Sequence, residues 1–360
     1  MKEGPTFIDL FCGCGGLSKG FEDAGFEGLL AIDHWQPAVD TYNYNFKSHK
    51  AIIGDLFHAD PNEIVIKYNL KDVDVIIGGP PCQGFSLAGK RLVTDERNEL
   101  YKSFVRFVKE LQPKAFVMEN VPGIVGLFKG KVLESVLNDF TKVGYNVKYQ
   151  ILSADDYGVP QIRRRVFFVG LRKDLKGELS YPTGDYNLSG KPAITSKEAI
   201  SDLDFIGDDS ILDDVADYQK PAESEYQRFM RKDSDKLFNH VVTLHQQKTK
   251  DIIALVPDGG NYKDLPDELK DTRKVNIAWT RMNSQKPSFT IDTGHRHHFH
   301  YKANRVPTVR ESARIQSFPD DFEFKGSKTA QAKQVGNAVP PLMARAVAGQ
   351  LMKALYNLQN

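Results

Sequence analysis

The chain reads as an α/β protein built on a doubly wound, mostly parallel sheet, with a second, smaller and irregular domain. Three observations carry that reading. From Phe7 to Leu171 short apolar runs alternate with helical patterns, the rhythm of a parallel sheet with helices on both faces. A glycine-rich turn, Cys12-Gly13-Cys14-Gly15-Gly16, follows the first run. From about Tyr181 the rhythm gives way to polar, turn-rich chain and returns only near the C-terminus.

The apolar runs Phe7–Leu10, Leu29–Ile32, Ala51–Ile53, Val73–Ile77 and Ala115–Met118 predict buried strands. Leu100, Phe104, Phe107, Val108 and Leu111 share one helical face, and the helix is expected to stop before Gln112-Pro113. A second helix carries Val132, Leu133, Val136, Leu137 and Phe140, with Gly144 as its stop. The runs Val147–Leu152 and Val166–Leu171 follow with no long helix between them, which predicts an antiparallel pair at one edge of the sheet. Gly184, Gly190, Pro192, the acidic stretch Asp202–Asp217 and the polar run Pro221–Asp235 mark the irregular region. Composition tightens again at Val306–Phe324, and Leu342–Leu358 has helical spacing. The expected division is one domain of residues 1–180 plus 331–360 and another of 181–330.

Bulk properties exclude more than they select. Apolar residues are 41% and charged residues 26% of 360, an ordinary globular composition. Three cysteines cannot form a disulfide framework, which predicts a reducing compartment, the cytoplasm. No basic leader with an apolar stretch and no long apolar span is present, which argues against secretion and membrane insertion. The net charge of +1 does not announce a polyanionic partner, although a local basic face suffices for one.

Chemistry concentrates at the ends of the predicted strands, where open α/β sheets bind ligands. In Gly78-Gly79-Pro80-Pro81-Cys82-Gln83, a thiol follows a buried strand on a turn stiffened by two prolines, so Cys82 is a nucleophile candidate. The alternative is a small buried hydrophobe. The glycine turn offers backbone N–H groups to a ligand. It is not the dinucleotide fingerprint, because Ser18 stands where the third glycine belongs. Asp33 after the second strand suits a ribose, and Asp55 after the third suits an adenine amino group, a pattern fitting adenosine attached to a non-phosphate group. Glu119 ends the strand beside the one bearing Cys82, where burial would favour its protonated form as an acid or donor. Strand alternation turns Arg163 and Arg165 to one side and Arg164 to the other, a clamp for a phosphate or a base carbonyl.

Taken together, these blocks resemble the DNA cytosine-5 methyltransferases paired with restriction enzymes. The matching segments run in family order: Phe11 to Gly16, Gly54-Asp55, Pro80-Pro81-Cys82-Gln83, Glu119-Asn120-Val121, Gln161 to Arg165, Arg310 to Pro319, and Gln334 to Pro341. The resemblance implies a methyltransferase that uses S-adenosylmethionine, yields S-adenosylhomocysteine, and acts on double-stranded DNA without an obligate protein partner, as a monomer. It implies that Cys82 attacks carbon 6 of a flipped-out cytosine, that Glu119 donates to the ring, and that Arg165 with Arg163 holds the base carbonyl. It also implies a cofactor lined by Phe11, Gly13, Gly15, Gly16, Leu17, Asp33, His34, Asp55, Leu56, Pro80, Leu100, Asn337, Ala338 and Val339. No metal is implied.

Two positions depart from the common pattern, Asp33 where a glutamate is frequent and Cys14 within the turn. The region after the arginine triplet would read the DNA sequence, with Arg273, Lys274, Arg281, Asn283, Gln285 and Lys286 as candidate contacts. His295, Arg296, His297, His298 and His300 cluster without a cysteine, and Asp292 is the only acid close by, which suits a polar loop better than a zinc site. A tRNA-directed relative, a silent DNA-binding regulator and a dinucleotide oxidoreductase are the rival readings. The long variable region, the full set of reactive residues and the missing glycine argue against them in turn.

Overall fold

A computed structural model describes residues 4–81, 100–208, 214–270, 279–294 and 298–357. Its backbone contacts divide the chain into two compact units. The first comprises Met1–Ser153, Arg164–Thr183 and Met343–Asn360, and the second Ala154–Arg163 and Gly184–Leu342.

The first unit is a seven-stranded sheet. Its strands are β1 (Thr6–Leu10), β2 (Glu27–Asp33), β3 (Ala51–Ile53), β4 (Val75–Gly78), β5 (Ala115–Asn120), β6 (Tyr145–Ser153) and β7 (Arg164–Arg172). In space they run β3-β2-β1-β4-β5-β7-β6. The first five are parallel, and β7 lies antiparallel to both β5 and β6. The expected antiparallel pair is therefore present, with β6 outermost. Strand order reverses between β1 and β4, so the crevice beyond their carboxyl ends is the switch point where ligands bind in such sheets.

The helices of this unit are α1 (Gly16–Asp23), α2 (Gln36–Asn45), α3 (Pro61–Lys67), α4 (Leu100–Leu111), α5 (Gly123–Gly126) and α6 (Lys131–Lys142). Each boundary has a local cause. Asp60 caps α3, accepting from the Asn62 N–H, with Pro61 at the first helical position. Helix α4 ends where Gln112 turns left-handed ahead of Pro113, and α6 ends at left-handed Gly144, both as the spacing predicts. The helix Pro341–Tyr356 buries Met343, Ala344, Val347, Ala348, Leu351 and Leu355. Phe116 of β5 and Phe140 of α6 stack at 4.0 Å, with Phe104 and Tyr145 edge-on around them. This aromatic cluster anchors the apolar core.

The second unit is irregular, as expected. Its described strands are two-residue pairs, Val215–Ala216 with Leu237–Phe238 and Thr280–Arg281 with His298–Phe299. One apolar cluster is formed by Ile252, Ile253, Val256, Leu265, Trp279, Phe299 and Val306, and the buried Phe318, Phe322 and Phe324 pack together elsewhere in the unit. Much of the remaining interior is charged. Arg305 grips Glu311 through two bonds of 2.7 and 2.8 Å. Arg314 lies between Asp202 and Asp320, and Arg310 donates to the carbonyls of Phe238, Pro319 and Phe322. All six of these charged side chains are fully buried.

The contacts differ from the expected division at three places, because 154–163 and 331–342 fall in the second unit and 181–183 in the first. Side chains explain the first two. Gln161 bonds to Gln316 and accepts from the Ile291 N–H, while Gln316 donates to the carbonyls of Val335 and Ala338.

Candidate active site

The glycine turn sits at the carboxyl end of β1 and is built from left-handed backbone. Phe11 has φ 61°, Gly13 53° and Gly15 97°. Its fold is held by Asp33 at the end of β2, which accepts from the Gly13 N–H through one oxygen and from the Trp35 N–H through the other, both at 2.9 Å. Nothing lies within 4 Å of where a Gly13 side chain would begin, so the turn borders open space. Gly16 and Leu17 open α1 and are buried.

Asp55, after β3, is exposed and hydrogen-bonded to the His58 imidazole at 2.6 Å. That bond holds its carboxyl below the ordinary range. His34 is exposed, 3.5 Å from Asp33. Leu56 is buried, and its carbonyl accepts from Arg106 of α4 at 2.9 Å, as the Phe57 carbonyl does at 2.7 Å. Leu100 is the first residue of α4. An open turn bordered by carboxylates from two strand ends fits an uncharged sugar and base better than a phosphate.

On the next strands, Glu119 lies within β5, which extends to Asn120, two residues beyond the expected end. Arg165 of β7 meets Glu119 at 2.8 Å, Nε to Oε1. The other carboxyl oxygen faces Gly79, where a side chain would begin only 3.0 Å away. Asn120, buried beside it, donates to the Pro80 carbonyl at 3.1 Å. An acid, a guanidinium and an amide thus gather around the Gly79-Pro80 step. Cys82, two residues on, lies outside the described residues, as do Arg273, Lys274, His295, Arg296 and His297.

Two arginines are engaged by backbone carbonyls. Arg163 directly precedes β7, which begins at Arg164, and belongs to the second unit. Its buried guanidinium donates to the carbonyls of Ile291, Gly336 and Ala338. Arg281 is likewise no surface contact. It is buried, donating to the carbonyls of Ile253, Val256, His300 and Ala303. Both satisfy backbone oxygens that would otherwise be buried without donors.

Asn337 is exposed at the end of the helix Lys328–Asn337 in the second unit, followed by Ala338 and Val339. His298 packs on Phe289 and lies 3.5 Å from Asp292, while His300 is buried and accepts from the N–H groups of Lys302 and Ala303. Among the described residues no group of histidines, cysteines and acids is arranged to hold a metal.

Residues 5–353 match the family of C-5 cytosine-specific DNA methylases. The chain belongs to that family. This methyltransferase is 40% identical to the type II methyltransferase M1.HphI of Haemophilus parahaemolyticus over 98% of its own length and 88% of the relative's. It is equally similar to M.DdeI of Desulfomicrobium norvegicum, at 40% over 98% and 90% of the two chains. Its fold matches the crystal structure of a prophage-encoded E. coli protein assigned as a DNA modification methyltransferase, with TM-score 0.82, 29% identity, and 98% and 100% of the two chains covered. It is therefore a DNA cytosine-5 methyltransferase of the restriction-modification class. Among the described residues no helix is long and apolar enough to cross a membrane.

Asn120 and Arg106 were not singled out from the sequence. An asparagine beside Glu119 at the end of an apolar run was the available signal for the first, since Asn is depleted in strands. Arg106 has one local acceptor, the Ser103 hydroxyl, but its carbonyl acceptors are some fifty residues away.

Proposed function

We propose that this enzyme methylates carbon 5 of one cytosine within a specific short sequence of double-stranded DNA, and that it shields that DNA from a cognate nuclease. The observation that carries the reading is the convergence of Glu119, Arg165 and Asn120 on the Gly79-Pro80 step that leads into Cys82.

In this reading the Cys82 thiolate adds to carbon 6 of the target base, making carbon 5 nucleophilic. Glu119 interacts with the ring nitrogen and amino group as charge builds there, and Arg165, fixed by its ion pair, holds the base carbonyl. Asn120 keeps the Pro80 carbonyl in place at the start of the proline loop. Carbon 5 gains the methyl group and loses its proton, and the bond to sulfur then breaks, freeing Cys82. The base must leave the duplex to meet these groups, at a cost of roughly a few kcal/mol of unstacking.

S-adenosylmethionine would supply an electrophilic methyl group. The glycine turn, Asp33 and Asp55 would hold it, with Phe11, Leu17, His34, Leu56, Pro80 and Leu100 around it and Asn337 to Val339 as a further contribution. The unit of residues 184–342 would read the DNA sequence, and the protein would act as a cytoplasmic monomer.

Incubation with S-adenosylmethionine and an oligonucleotide duplex carrying 5-fluorocytosine in the methylated site tests the scheme. A covalent adduct at Cys82 is expected by mass spectrometry, and Cys82→Ala should abolish both adduct and turnover. Methyl transfer by Cys82→Ala, or transfer to tRNA in place of DNA, would overturn it. Bisulfite sequencing of DNA from expressing cells would identify the site.

A further inference from the structure

Four buried side chains, from β1, α1, α2 and the loop after α2, form a hydrogen-bonded line beneath the glycine turn. Ser18 of α1 donates to Asp9 of β1 at 2.5 Å. Tyr42 of α2 donates to Ser18 at 2.8 Å, and His49 Nε2 lies 2.6 Å from the same Tyr42 hydroxyl. His49 Nδ1 is 3.0 Å from Ser48, which reaches Glu22 at 3.1 Å. The exposures of Asp9, Ser18, Tyr42 and His49 are 1%, 0%, 0% and 6%.

Tyr42 sits between Ser18 and a neutral His49, and which of Tyr42 and His49 donates to the other is set by the imidazole tautomer. Burial supports the neutral state, lowering the imidazole to about 4. The rings are held sterically as well. A Gly28 side chain would begin 2.2 Å from the His49 ring, and a Gly15 side chain 2.3 Å from Phe46 and 2.9 Å from Tyr42. Phe46 and Tyr42 stack at 4.1 Å directly beneath the turn.

We propose that Tyr42 and His49 are positioning residues for the cofactor turn, acting through Ser18 and Asp9. The turn carries left-handed backbone at Phe11, which only its surroundings can stabilise. If the line is cut, the turn samples other conformations, and only the competent fraction binds, which raises the apparent dissociation constant in proportion. The inference rests on the reading that S-adenosylmethionine binds at this turn.

The test is titration calorimetry of the full chain with S-adenosylhomocysteine, alongside steady-state kinetics. Tyr42→Phe keeps the ring stack and removes only the hydroxyl. It should weaken binding about tenfold, as expected for one buried hydrogen bond lost. The effect should appear in KM for S-adenosylmethionine far more than in kcat. His49→Leu should do the same, and His49→Gln, which retains an amide donor, should restore most of the affinity. Ser18→Ala replaces Tyr42→Phe should the latter not fold. Lowered melting temperatures with unchanged affinity would overturn the proposal and leave the line a stabilising element only. Failure of the unaltered protein to bind either compound would instead overturn the cofactor reading itself.

Discussion

Asp9 in the first unit and Glu311 in the second are both buried carboxyls, and their surroundings drive them in opposite directions. Burial pushes Asp9 up to about 8, helped by nearby Asp33 and only partly countered by the Ser18 hydroxyl. Burial also pushes Glu311 up, but Arg305 and His300 outweigh it and hold the carboxyl far below its ordinary range. The difference reflects how the two units are built. The first surrounds a parallel sheet with apolar side chains, so a lone acid meets only hydroxyls and backbone. The described strands of the second are only two residues long, and its interior mixes apolar side chains with paired charges and arginine–carbonyl bonds. Regular layers supply backbone partners for nearly every polar group, whereas irregular chain leaves carbonyls that long side chains must satisfy.

The sharpest way to break this contrast is Arg314→Met, which strips Asp202 and Asp320 of their shared guanidinium. It should cost about 3–5 kcal/mol, the usual result of orphaning a buried charge. The measurement is hydrogen exchange in urea, read separately for each unit. A loss under about 1 kcal/mol would show that apolar packing, and not its paired charges, holds the second unit.

Phe116→Ala should cost a similar or slightly smaller amount, about 3–4 kcal/mol, by opening a cavity against Phe140, Phe104 and Tyr145. Loss of protection should be confined to the first unit. Replacing Arg305 and Glu311 together with methionine and leucine should be far milder than Glu311→Ala alone. A buried pair exchanged for apolar groups is often neutral, while half a pair is not. Equal damage from the double and single replacements would show that the pair is needed for more than mutual neutralisation.

The gentlest effect is the pH response. Asp9 has a folded-state value above its ordinary 3.8, so the stability tied to its protonated form is complete below that value and is lost as pH rises through about 8. Glu311 is depressed, so its contribution is complete above its ordinary 4.5 and is lost as pH falls below it. Unfolding followed per unit should show the first weakening toward alkali and the second toward acid. Asp9→Asn should flatten only the alkaline limb.

Several features could be read directly from the chain because they depend on local pattern. Continuous apolar runs marked the central strands, and Gln112-Pro113 and Gly144 marked two helix ends. The glycine turn, Asp33, Asp55 and Glu119 lay at strand ends, and strand ends in such sheets converge. Arg281 misled for a physical reason. A string shows that a guanidinium is present but not whether water, an anion or a stranded carbonyl will face it.

What the order of residues determined by itself was the mostly parallel sheet and the family to which the chain belongs, since periodicity and short motifs act over a few neighbours. Tertiary structure alone decided the partners of each buried polar group. It set Arg165 against Glu119, sent Arg163 to the second unit, and joined Asp9, Ser18, Tyr42 and His49 beneath the turn. Those pairings depend on which distant atoms are excluded from water together, and that is settled only when the chain has closed on itself.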